Sequence, residues 1–131
     1  MTLWENTAVV VLGSGLGGGL RFLTYAAFAR LVPFSRFPFG TLTVNVLGSF
    51  LIAFISHIAL TTTLISANTR LFLTVGVMGG LTTYSSFNHD VLEALRAGQL
   101  ATAAISGVAT VTLCLLAGFL GLVAARTLVH G

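Results

Sequence analysis

Four long apolar stretches restrict this chain to very few folds. They run from about Thr7 to Leu31, Phe39 to Leu60, Arg70 to about Leu95, and Leu100 to about Val129. A helix needs about 20 mostly apolar residues to cross a bilayer, and each stretch is long enough. A soluble domain carries about 25% charged residues. Here 7% of 131 residues are charged, 56% are hydrophobic, and the mean hydropathy is +1.01. That charge cannot cover a water-facing surface, so the solvent is lipid. The expected fold is all-α and integral to the membrane, with four transmembrane helices in one domain, 1–131. The stretches are too long and too uniformly apolar for the roughly 10-residue alternation of barrel strands.

The remaining composition narrows the function. MTLWENTAVV has no basic n-region and no clear cleavage site, so it reads as mature chain. Cys114 is the only cysteine and cannot form an intrachain disulfide. The net charge of +3 comes from six scattered arginines, a pattern that argues against a nucleic-acid surface. There is no nucleophile–base set, phosphate loop or metal-ligand spacing, which argues against an enzyme. Among the connectors, VPFSRFP holds both prolines, RAGQ is a tight turn, and Asn68 is the expected cap of the third span.

Arginine counts orient membrane proteins. Arg70 and Arg126 fall on one side. Arg30, Arg36 and Arg96 fall on the other, with Arg21 deeper in the first span. So small a bias fits a single orientation, or insertion both ways and an antiparallel pair of identical chains.

Polar groups inside spans are costly and usually face protein or water. In the second span Thr41, Asn45 and Ser49 are four apart, and in the fourth Thr102, Ser106, Thr110, Cys114 and Gly118 are too. Residues four apart share a helix face. Such a strip serves either close helix packing or a polar path. The Asn45 amide weighs towards the path, because all its donors and acceptors need partners in lipid. Gly13, Gly15, Gly17, Gly18 and Gly19 suit close packing. Arg21, just after them, either snorkels or draws an anion to a pore mouth. Asp90 and Glu93 are expected at the surface or beside Arg96.

The third span contains GVMGGLTTYSSFNHD (76–90). The Gly79–Gly80 pair invites a helix break near Gly79–Thr83. Backbone freed by a break at membrane depth must be satisfied by protein, water or an ion. Tyr84 and Phe87 are three apart and share a face, where they pack or present positive ring edges to an anion.

GTLTVNVLGSF (40–50) with GVMGGLTTYSSF (76–87) closely resembles the two signature regions of the small fluoride channels, called Fluc or CrcB. GGGLRF (17–22) looks like their glycine-rich segment, and the likeness covers essentially the whole chain. The resemblance implies an antiparallel, dual-topology homodimer in a bacterial inner or plasma membrane. It implies passive export of fluoride through two pores per dimer. It further implies a structural Na+ at the dimer centre, held by main-chain carbonyls of Gly79 and Thr82. Carried over by position, the fluoride pore takes Asn45, Thr41, Ser85, Tyr84 and Phe87, with Ser106 and Thr110 from the fourth span and Arg21 at the pore mouth. Tyr84 departs from the family pattern, which usually has phenylalanine there. A proton-coupled drug exporter of similar size typically needs a buried membrane carboxylate, which the span interiors lack. A non-conducting helical scaffold would leave the polar strips as packing alone.

Overall fold

The computed structural model describes residues 2–130, and all regular structure among them is helical. Helix α1 spans Leu3–Leu31. The Thr2 hydroxyl accepts from the Glu5 amide, and the Glu5 carboxylate accepts the Thr2 amide at 2.7 Å. This reciprocal capping box satisfies two donors at the helix start. The helix stops ahead of Pro33, whose ring disfavours helix in the residue before it. Helix α2 (Phe39–Thr61) begins directly after Pro38.

The third span is irregular. It opens as α3 (Ala67–Leu71), widens into a π-helical stretch over Phe72–Met78, and tightens in α4 (Gly79–Leu81). Thr82 and Thr83 are extended, and α5 (Tyr84–Arg96) resumes the helix. Gly98 then turns the chain at φ +71°, a conformation that glycine adopts freely. Helix α6 covers Leu100–His130. Three helices, α1, α2 and α6, are long and apolar enough to cross a membrane unbroken. The interrupted α3–α5 run corresponds to the third apolar stretch of the sequence.

Two local expectations are corrected here. Ser66, not Asn68, caps the third span: its hydroxyl accepts from the Thr69 amide at 3.2 Å. Asn68 sits inside the first turn. The glycine pair does not itself open the helix. Gly79 is helical at φ −62°, ψ −37°, and the chain opens only at Thr82.

Packing explains several of the glycines. A Cβ on Gly80 would lie 2.8 Å from Ser14 Cα, and one on Gly13 would lie 2.8 Å from Gly76 Cα. A Cβ on Gly17 would collide with the Val77 carbonyl. Gly13 and Gly17 therefore mesh with Gly76 and Gly80 at matching four-residue spacing, as small residues do where membrane helices approach closely. Gly15, Gly18 and Gly19 meet no neighbour, so two of the five first-span glycines do the packing.

Helix α6 packs chiefly on α2. Its buried residues are Ala103, Ser106, Thr110, Ala117, Gly121 and Ala125, spaced three, four or seven apart and so on one face. A Cβ on Gly121 would strike the Phe50 carbonyl. The core proper is small: Val44, Val77, Met78 and Leu81, flanked by Tyr25 and Phe72. Large apolar side chains mostly point outwards, with Trp4 79% and Phe34 95% exposed. A water-soluble chain of this size does not present such a surface. Such a surface suits a membrane.

Candidate ion pathway at the interrupted helix

Asn45 projects from α2 into the break and is buried. Its Oδ1 accepts from the Thr83 amide at 2.7 Å, and its Nδ2 donates to the Thr83 carbonyl at 3.1 Å. One side chain thus pairs with both main-chain groups of an extended residue, much as a neighbouring strand would. The Thr83 hydroxyl then caps α5, accepting from the Ser86 amide at 3.1 Å. The Ser85 and Ser86 hydroxyls lie 3.2 and 3.1 Å from it.

These bonds free two carbonyls. In an unbroken helix the Thr83 amide would donate to Gly79 O, and the Ser86 amide to Thr82 O. Asn45 takes the first amide and the Thr83 hydroxyl takes the second. Thr82 O receives Arg21 Nη1 at 3.4 Å. Gly79 is exposed, with open space beside its Cα.

A groove of about 300 Å³ runs beside the break, lined by Asn45, Ser49, Thr83, Tyr84, Phe87 and Thr110 among others. The Tyr84 and Phe87 rings meet edge to face, with centroids 5.5 Å apart at 64°. Tyr84 is 78% exposed. No charged side chain lines the groove. Its polarity comes from hydroxyls, an amide, ring edges and the amide-rich start of α5. Donors of this kind can replace the water of a small anion without trapping it on a fixed charge.

A family model described as CrcB-like protein, Camphor Resistance (CrcB), matches residues 8–122. The chain belongs to the CrcB family. A protein of Pelobacter propionicus named fluoride-specific ion channel FluC is 44% identical to it over 115 residues, covering 88% of this chain and 89% of the relative. FluC of Anaeromyxobacter sp. (strain K) is 50% identical over 111 residues, covering 85% and 87%. FluC of Geobacter sulfurreducens is 47% identical over 125 residues, covering 92% and 96%.

In this CrcB-family chain, the groove gathers Asn45, Tyr84, Phe87 and Thr110 from the expected set. The other expected residues lie elsewhere. Ser85 turns its hydroxyl to Thr83. Ser106 is 1% exposed and donates to the Ala103 carbonyl at 3.2 Å, so it lies in the packing seam and not on the groove. Thr41 lines a second pocket, of about 350 Å³, where it donates to Asp90 Oδ2 at 2.6 Å and lies 3.3 Å from the Tyr25 hydroxyl. Arg21 Nη1 donates to the Thr82 carbonyl at the break, at 3.4 Å. Glu93 pairs with Arg96 at 2.7 Å on the surface, as expected for one of the two acids, while Asp90 is tied to Thr41.

Sequence reasoning placed Thr83 in the break but not as the cap of α5, and Ser49 on the strip but not in the candidate pore set, and it passed over Tyr25. Thr83 carried a usable signal: a hydroxyl residue three positions before Ser86, at the head of a helix, is an N-cap pattern. Tyr25 carried none, because its contact with Thr41 is made only once α1 packs on α2.

Proposed function

We propose that this chain is a fluoride-selective channel that lets fluoride leave the cytoplasm down its gradient. The observation that carries the reading is the groove in which Asn45, Tyr84, Phe87 and Thr110 meet at the helix break without a charged side chain. Family membership and the relatives' printed names support the same ion. Fluoride is small and strongly hydrated, so selectivity demands closely spaced donors in place of its water. The Phe87 ring edge, the Thr110 hydroxyl and the spare N–H of Asn45 offer such donors.

The working unit in this reading is an antiparallel homodimer of dual topology with two pores, in a bacterial inner membrane. The exposed Tyr84 ring and the open face of Gly79 suit a second copy. A sodium ion at the dimer centre fits the donor set. Among the described residues no group of acidic, histidine or cysteine side chains is built to hold a metal, whereas the Gly79 and Thr82 carbonyls have lost their helical donors. When bound, the ion would supply positive charge between the two breaks. Arg21 steadies the Thr82 carbonyl from the other side.

The direct test is efflux from liposomes containing the purified protein. Fluoride should leave rapidly and chloride should not. Equal efflux of both ions, or no efflux of either, would sink the proposal.

A further inference from the structure

We infer that Asn45 is a positioning residue for the cation site as well as part of the anion groove. The inference rests on reading the Gly79 and Thr82 carbonyls as that site. Asn45 Oδ1 holds the Thr83 amide at 2.7 Å, and that amide is the natural helical partner of Gly79 O. Thr82 N still donates to the Met78 carbonyl at 3.0 Å, so the regular ladder runs up to the residue before Asn45 intervenes. The side chain therefore diverts one amide and leaves one carbonyl open.

The helix does not break of its own accord at this point. Gly79 has helical dihedrals, and Gly80 is held in the α1 seam. Without the Asn45 side chain the Thr83 amide would be buried and unpaired, which is costly. Its nearest remedy is Gly79 O, one helical turn back. The helix would then close over the carbonyl that a cation needs. Asn45 thus couples the two ions: one amide side chain faces the groove and also keeps the cation's oxygen free.

The test compares wild type, Asn45→Ala and Asn45→Asp as purified dimers. Melting is followed in sodium chloride and in the chloride of N-methylglucamine, a cation too large for the site. A cation that binds only the folded state raises the melting temperature. Sodium should stabilise wild type and Asn45→Asp, since aspartate keeps an acceptor for the Thr83 amide. Asn45→Ala should lose the sodium-dependent shift, and its crystal structure should show Thr83 N donating to Gly79 O. A sodium shift in Asn45→Ala equal to wild type would overturn the inference while leaving the cation site standing. No sodium shift in wild type would overturn both. Fluoride flux alone does not decide the matter, because Asn45 also lines the groove.

Discussion

The Tyr84 ring is held mainly by one neighbour. Its edge-to-face contact with Phe87 is worth about 0.5–1.5 kcal/mol beyond area burial, and its hydroxyl has no partner among the described residues. Tyr84→Phe keeps the ring pair, so fluoride efflux should stay near wild type. Phe87→Ile removes one ring edge and the pair with it. Efflux should fall by about tenfold or more, since each 1.4 kcal/mol is a factor of 10, while size-exclusion behaviour is unchanged. A Phe87→Ile protein with undiminished efflux would remove the rings from the pathway. At this scale the sequence offered residue types and spacings and was silent about their bonds. Asn45 stood out by type, whereas Tyr84, Phe87 and Thr110 entered the candidate set through resemblance to the family's signature regions. That Ser106 turns into a seam, and that Asp90 accepts from Thr41, depends on helix rotation and on which neighbour lies opposite.

At the scale of elements, apolar length located the four helical stretches and their ends to within a few residues, and three of them are long and apolar enough to cross a membrane unbroken. The exact break was harder to read, because local propensity points to Gly79–Gly80 and tertiary bonding moves the opening to Thr82. The two glycines have another duty, and its loss can be measured. Gly17→Leu would drive a side chain into the Val77 carbonyl. Overpacking of this kind costs about 1–3 kcal/mol, so the folded fraction in detergent should drop, whereas Gly15→Ala, facing open space, should be neutral. Equal effects at the two sites would refute the seam. The cap of α3 makes a second contrast. Ser66→Ala should cost about 1 kcal/mol, read as a lower melting temperature, and Asn68→Ala much less.

For the whole molecule, nearly balanced arginines leave both orientations open. After Cys114→Ser removes the one native thiol, a Thr2→Cys variant should be labelled by membrane-impermeant reagents added on either side of intact vesicles. Labelling from one side only would exclude dual topology. The proposed antiparallel pair comes from family resemblance, and the near-balanced arginines leave room for it. The exposed Tyr84 ring and the Gly79 carbonyl that suit such a pair are placed by the break at Thr82 and Thr83, and neither is visible before folding.

The polar face of α5 bears on how this chain enters the membrane. YSSFNHDVLEALR carries two serines, an asparagine, a histidine, two acids and an arginine, a composition that partitions poorly into hydrocarbon by itself. The groups that receive it, Thr41 for Asp90 and Asn45 for Thr83, both belong to α2, which leaves the ribosome earlier. These bonds predict that α2, made first, serves as a template on which the last half of the third stretch settles. Truncated nascent chains carrying both Thr41→Val and Asn45→Leu should stall with α5 outside the bilayer. A glycosylation tag placed after α5 would report the stall before any channel has formed.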